Sequence, residues 1–138
     1  MMSVEENKTL ANRFYEEILN RRKLDVADEV LASQYFDHSA SAPGLDNFKQ
    51  YLAMITRVFP DINVTVEDML ADDHKVAVRL TVRGTQADSF RGFPPTGGQA
   101  TWSGMDIIHI SNGKIVDRWS ERDFLHMLVQ LGHVQYPH

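Results

Sequence analysis

Hydrophobic residues change their spacing halfway along the chain, and this change limits the folds open to it. In the first half, Leu10, Phe14 and Ile18 recur at the spacing of an amphipathic helix. In the second half, every second residue of Ile62–Val66 and Val76–Val82 is apolar, as expected for half-buried antiparallel strands. Helices followed by strands predict an α+β domain with helices packed on one face of a curved antiparallel sheet.

The sequence predicts four helices. The first runs from about residue 4 to 21 and begins with the capping-box pattern Ser3–Glu6. A short second helix is expected to start at Asp25, because aspartate is favoured at N-caps. A third carries an apolar face over Phe48–Phe59, and a fourth covers Phe124–Leu131.

Two hairpin turns are predicted, at residues 71–74 and at Asn112-Gly113, a strong signal for a two-residue loop. The second turn decides the face of His109. A two-residue loop places His109 on the opposite face from Asp123, whereas a three-residue loop places it opposite Ile115, on the face of Asp123.

Composition excludes several classes of function. The chain has 138 residues, a formal net charge of −5 and no cysteine. The acidic balance argues against nucleic acid as a partner, and the lack of cysteine excludes disulfides, thiolate nucleophiles and Cys-ligated zinc. No secretory signal and no apolar run of membrane-spanning length is visible. We therefore expect one domain over residues 1–138, in the cytoplasm, without a membrane partner.

The segment Phe90–Gly132 contains a series of motifs in a fixed order. They are Phe90-Arg91-Gly92-Phe93-Pro94-Pro95-Thr96-Gly97, Asp106-Ile107, Asn112-Gly113-Lys114-Ile115, Asp117 before Trp119, Asp123 and Gln130-Leu131-Gly132. In this combination the chain resembles the SnoaL-like polyketide cyclase family of the nuclear-transport-factor-2-like superfamily. The N-terminal half resembles the family through its long first helix and through Tyr35-Phe36-Asp37-His38.

The resemblance implies a cone-shaped fold, in which a curved, mixed and mainly antiparallel sheet wraps around the long first helix and encloses an apolar pocket. It also implies a homodimer formed through the outer sheet face. Characterised members close a ring by intramolecular aldol condensation, using an aspartate as acid and base and no metal or cofactor. The matching positions here are Asp123 for that aspartate and His109 for a histidine of the preceding strand, and this correspondence favours the three-residue loop at Asn112-Gly113. Ser120 departs from the pattern, because many relatives carry Asp or Asn there.

Asp123 and Asp106 each have a catalytic and a structural interpretation. Asp123 is separated by an even number of positions from Ile115 and Trp119 in the preceding strand. Because alternate side chains of a strand point to the same face, we expect Asp123 to share their face. On a pocket-lining face it would be an acid or base; otherwise it is an N-cap of the last helix. Asp106 is either a second acid/base or the ion-pair partner of an arginine, Arg79 or Arg118, and the ion pair is favoured.

The remaining predicted pocket residues are polar or aromatic: His38, Tyr35, Trp102, Trp119 and Phe90. Aromatic side chains near a carboxylate suit a small apolar or aromatic carbonyl compound. The predicted function is a cofactor-independent, acid/base-catalysed cyclase or lyase. The alternatives are an isomerase or epoxide hydrolase on the same scaffold, with Asp106 as the discriminating residue, and a non-catalytic ligand-binding protein. No metal site is predicted, since no third ligand accompanies Asp123 and His126.

Overall fold

The computed structural model describes residues 3–40 and 43–137. In this part of the chain a curved, mixed sheet of five strands has the order β1-β5-β4-β3-β2. Only the β1–β5 pair is parallel. The strands are β1 (Leu31–Asp37), β2 (Asn63–Ala71), β3 (Lys75–Thr85), β4 (Gln99–Ser111) and β5 (Lys114–Arg122). The predicted α+β architecture is confirmed, although β1 was not recognised in the sequence.

The first helix has the predicted extent but not a uniform geometry. Helix α1 (Val4–Arg13) starts with the predicted capping box, in which Ser3 Oγ accepts from the Glu6 backbone N–H and Glu6 accepts from Ser3 N–H. It continues directly into a π-helical segment, Phe14–Asn20. Neighbouring Phe14 and Tyr15 are both fully buried there, which places two adjacent aromatic rings against the sheet.

The other helices lie close to the predicted segments. They are α2 (Leu24–Val30), α3 (Leu45–Val58) and α4 (Phe124–Gln130). The expected start of α2 at Asp25 was wrong: Lys23 is the N-cap, without a side-chain hydrogen bond, and Asp25 lies in the first turn. A carboxylate in that position is favoured by the positive end of the helix dipole.

A β-bulge in β5 determines which side chains face inward. Asn112 and Gly113 form the predicted hairpin turn, with φ values of 53° and 75°; the loop has two residues, not the three that the family resemblance favours, so that Ile110 pairs with Ile115. His109 then pairs with Asp117, which leaves Val116 as an extra residue. One extra residue moves every following side chain to the other face of the strand.

The core lies between the inner sheet face and the helices. Inward-facing aliphatic residues of β3 and β4 belong to one core cluster with Leu10 and Ala11 of α1, Phe14 and Tyr15 of the π-helical segment and Phe48 of α3. No helix within the described ranges has both the length and the apolar character required to cross a membrane.

Candidate active site

A partly enclosed cavity of about 240 Å³ lies between α3 and the inner face of the sheet. Its volume is slightly below the ~300–1,000 Å³ typical of ligand pockets. Most of its wall is apolar, and polar side chains cluster on the β5 side. The described lining residues are Leu19, His38, Ser39, Tyr51, Leu52, Ile55, Thr56, Phe59, Ile62, Val64, Val82, Phe90, Arg91, Trp102, Arg118, Ser120, Arg122 and Phe124.

Three polar residues of β5, Arg118, Ser120 and Arg122, line the cavity. They alternate along the strand and face inward because the bulge at Val116 has shifted the register. Without this bulge the inward positions would be held by Asp117, Trp119 and Glu121. The bulge therefore gives the cavity a cationic wall instead of an aromatic and acidic one.

The two guanidinium groups are held by buried carboxylates behind them. Arg118 contacts Asp37 through Nη2 at 2.9 Å and Asp106 through Nη1 at 3.1 Å. Arg122 Nη1 lies 2.6 Å from Asp106 Oδ1. Tyr15 donates to Asp106 and Tyr35 donates to Asp37, each at 2.6 Å. All four charges are thus paired, as buried charges must be to avoid a large desolvation penalty.

This network holds Asp106 as an anion. Burial alone would raise the pKa of Asp106, but the positive charges of Arg118 and Arg122 and hydrogen bonds from Arg122 and Tyr15 lower it below its usual value. Burial opposes the charge of Arg118, yet Asp37 and Asp106 raise its pKa well above the ordinary value. Asp106 is therefore a weak base and a structural counter-ion, as the favoured interpretation of its sequence position predicted.

Hydrogen-bond donors, rather than free carboxylates, face the cavity. The buried hydroxyl oxygen of Ser120 has no hydrogen-bond partner among the described residues. Tyr51 also lines the cavity, and burial raises its phenol pKa, partly offset by the charge of Arg118. Tyr51 is therefore a neutral donor at physiological pH. Together with Arg122, these groups can polarise a carbonyl oxygen or stabilise an oxyanion.

His38 lies where β1 ends, among the lining residues of the cavity. Its backbone N–H donates to the Arg118 carbonyl at 2.9 Å. Its ring stacks on the Trp119 indole, with centroids 3.5 Å apart, and contacts Phe36 edge-on at 4.1 Å. These contacts fix the imidazole plane at the edge of the sheet. His38 is the one histidine among the described lining residues.

Asp123 and His109 do not line this cavity. The expectation that Asp123 shares the face of Ile115 was wrong, because the bulge lies between them and turns Asp123 outward. Its carboxylate is exposed and accepts the His126 backbone N–H at 3.0 Å, which makes it the N-cap of α4. His109 is on the outer sheet face, 3.8 Å from Asp117. The two residues are therefore not brought together at the cavity.

The structure separates the other predicted pocket residues into three groups. Phe90 and Trp102 line the cavity. Tyr35 and Asp106 lie behind the cavity wall in the ion-pair network. Trp119 is on the outer face with 57% of its surface exposed, so its predicted place in the pocket was wrong. The physical reason is again the extra residue at Val116, which moves Trp119 to the outer face of the strand.

Arg118, Arg122 and Tyr51 line the cavity but were not predicted to do so. A signal for the first two was present: Arg118, Ser120 and Arg122 form a polar stripe with the two-residue period of a strand. That stripe normally indicates a solvent-facing side. Its buried partners, Asp37 and Asp106, come from distant parts of the sequence. No group of three His, Asp or Glu side chains in residues 3–40 and 43–137 is arranged to hold a metal ion.

Comparison with known proteins identifies the family. The structure is similar to TsrD from Streptomyces laurentii, with a TM-score of 0.88 and 21% identity over 97% of this chain and 100% of that chain. It is similar to IdmH from Streptomyces antibioticus, with a TM-score of 0.80 and 27% identity over 91% of this chain and 97% of that chain.

A SnoaL-like polyketide cyclase from Agrobacterium tumefaciens strain C58 also superimposes, with a TM-score of 0.79 and 22% identity over 96% of this chain and 100% of that chain. None of the curated proteins matches the sequence. The sequence profile of the SnoaL-like polyketide cyclases matches residues 9–131, most of the chain. The protein therefore belongs to the SnoaL-like polyketide cyclase family and has its nuclear-transport-factor-2-like fold.

Proposed function

We propose that this protein is a cyclase-type enzyme that closes a ring in a small, mainly apolar carbonyl compound by an aldol reaction. The observation that carries the proposal is the Ser120 hydroxyl, which has no hydrogen-bond partner among the described residues and lines the same, mainly apolar cavity as Arg122 and Tyr51. Such an arrangement binds an apolar body in the chamber and directs its carbonyl oxygen to the donors. The reaction needs no metal if neighbouring carbonyl groups already acidify the reacting carbon.

In the proposed reaction, a base removes a proton from the activated carbon and the resulting enolate attacks a carbonyl carbon in the same molecule. One carbon–carbon bond forms, and the attacked carbonyl oxygen becomes an alkoxide. Tyr51, Ser120 and Arg122 stabilise the negative charge that develops on oxygen, an effect that is strong where water is excluded. The proton then returns to the alkoxide.

We assign the proton transfer to His38, in place of the pair Asp123 and His109 that the family resemblance implies. Three arguments support this choice: the position of His38 in the cavity wall, the fixed plane of its ring, and the engagement of Asp106 by two arginines. General base catalysis contributes about 10²–10⁴-fold to a rate, so loss of the base should be easy to detect.

The first experiment measures ring closure of a tricyclic anthraquinone methyl ester by the wild type and by His38→Gln, Ser120→Ala and Asp123→Asn. Asparagine is as good an N-cap as aspartate, so Asp123→Asn removes the charge without loss of the cap. We expect the first two variants to lose at least about tenfold in turnover and Asp123→Asn to keep it.

A different pattern of results would change the assignment. Loss of turnover only in Asp123→Asn, with the variant folded and still binding, would restore the catalytic role implied by the family resemblance. Tight binding without turnover by any of the proteins would favour a ligand carrier. Absence of both would exclude this substrate class.

We also propose that two copies pair through the outer sheet face. On this face, four residues of neighbouring strands are paired in register and form a row across β2, β3, β4 and β5: Leu70, Ala77, Ile107 and Trp119. Leu70, Ile107 and Trp119 are exposed to 71%, 42% and 57%, and Met105 beside them to 62%. Contiguous exposed apolar residues of this size are typical of interaction surfaces.

The charges of the outer face favour one symmetry. Lys75 and Arg79 lie on β3, whereas Asp117 and Glu121 lie at matching heights on β5, with the central strand β4 between them. A two-fold axis parallel to β4 superposes β3 on the partner's β5, so these opposite charges meet. An axis across the strands would instead oppose like charges. The first axis also places the Trp119 indole over the small Ala77.

Charge reversal tests this arrangement by sedimentation equilibrium. We expect Arg79→Glu and Glu121→Arg each to weaken the dimer, and the double variant to recover it. A double variant that is no stronger than the singles would contradict the proposed axis, and a monomeric wild type would contradict the dimer.

A further inference from the structure

The charged side chains that line the cavity are of one sign. Arg91, Arg118 and Arg122 line it, and no carboxylate is among the described lining residues. Asp37 and Asp106 neutralise Arg118 and Arg122 from behind the wall. One positive charge, that of Arg91, is left over at the cavity of a chain whose net charge is −5.

Arg91 itself is held at the cavity by two aromatic rings. No hydrogen bond or ion pair of its guanidinium group occurs within the part of the chain that the structure describes. The group lies over the rings of Phe90 and Phe124, at 5.2 and 5.4 Å from their centroids. Both rings line the cavity. These cation–π contacts position the charge and leave its N–H donors available.

The backbone at Arg91 is not one that arginine favours. Phe90 and Phe93 exchange both backbone hydrogen bonds, at 2.9 and 2.8 Å, around a two-residue turn. The two central residues, Arg91 and Gly92, have φ values of 48° and 87°. Glycine, asparagine and aspartate are the residues preferred at the first of these positions. A non-glycine residue held in this region is a starting point for a hypothesis of function.

We infer that the ligand of this cavity carries a carboxylate, which Arg91 binds at the surface end of the cavity while the apolar body lies inside. Arg91 is the one exposed member of the described lining residues, so it marks that end. A planar guanidinium group is suited to bidentate pairing with a carboxylate. This inference rests on the proposed function in that it concerns the same cavity, and it narrows the substrate class from carbonyl compounds to carbonyl-containing acids.

The test compares two probes of similar shape, 2-naphthoate and methyl 2-naphthoate, by isothermal titration calorimetry or fluorescence. We expect the wild type to bind the anion more tightly than the ester. Arg91→Gln should weaken naphthoate binding by about five- to tenfold and ester binding by less than about twofold. Arg91→Lys keeps the charge but not the planar group that stacks on the rings and pairs bidentately, so it should retain only part of the preference.

Two further variants distinguish the loss of the Arg91 charge from an effect of the substitution on folding. Arg83→Gln makes the same substitution at an exposed position of β3 whose side chain faces away from the cavity, and it should leave both affinities unchanged. Arg91→Asn puts a residue that tolerates positive φ into the turn, so its thermal midpoint should equal or exceed that of the wild type while naphthoate binding falls.

Several outcomes would overturn the inference. Equal affinity of the wild type for both probes, or equal losses for both probes in Arg91→Gln, would assign Arg91 to packing alone. If the methyl ester substrate is nevertheless turned over, the proposed cyclase function stands without the carboxylate. Binding of neither probe to the wild type would refute the inference, and lack of turnover in the separate assay would refute the function.

Discussion

Replacement of Arg118 by methionine should destabilise the fold strongly. The Arg118 side chain is 4% exposed, and the side chains of Asp37 and Asp106 are fully buried. Without the guanidinium group, the donors left to the Asp37 carboxylate among the described residues are the Tyr35 hydroxyl and the Ser39 backbone N–H. Breaking a buried ion pair in this way costs about 3–5 kcal/mol. For a chain of this length, that corresponds to a fall in Tm of roughly 10–15 °C.

The assay is urea unfolding followed by far-UV circular dichroism, with the double variant Asp37→Asn/Arg118→Met as control. Methionine keeps an unbranched side chain over the Phe14 ring, where the Arg118 guanidinium carbon lies 4.7 Å from the centroid. Because the double variant also removes the buried negative charge of Asp37, it should be more stable than Arg118→Met alone. A loss below about 1 kcal/mol in the single variant, or no recovery in the double variant, would refute the reasoning.

Three further predictions concern the same region. Because the folded state lowers the pKa of Asp106, its contribution to stability is present above about pH 4 and is lost as the pH falls through the lower folded value. The urea midpoints of the wild type and Asp106→Asn should therefore converge as the pH is lowered. Asp123→Ala should cost about 1 kcal/mol in urea unfolding through the lost cap, and Asp123→Asn clearly less; equal losses would contradict the capping role. Gly104→Ala should displace Arg122, since a Cβ would lie 2.7 Å from its Cδ and Nη1 and 2.9 Å from the Glu121 carbonyl oxygen. We expect the free energy of unfolding to fall by about 1–3 kcal/mol and turnover to decrease. Full activity would show that Arg122 is not required.

The regular elements could be predicted because their signals are local. The capping box at Ser3–Glu6, the alternation along β3 and the Asn112-Gly113 turn each depend on residues close together in sequence, and all three are present in the structure. The π-helical geometry of Phe14–Asn20 was not predictable in this way. Burial of two adjacent aromatic residues depends on the sheet they pack against, which is formed by distant segments.

The candidate site was predicted less well, for one main reason. The face of a side chain can be predicted from its position in a strand only if the strand is uninterrupted. The extra residue at Val116 reverses the face of every later position in β5. Asp123 and Trp119 were therefore assigned to the wrong side, whereas Trp102 and Phe90, which lie outside the affected strand, line the cavity.

The sequence by itself determined the fold class, the family and the approximate bounds of the helices and of the antiparallel strands, because hydrophobic periodicity and turn residues act over a few positions. Tertiary structure decided the chemistry of the cavity. Arg118 is a buried cation only because Asp37, from the first strand, and Asp106, from the fourth, meet it across the sheet. A charge in the interior is stable only with such partners, and no local pattern shows which distant residues will supply them.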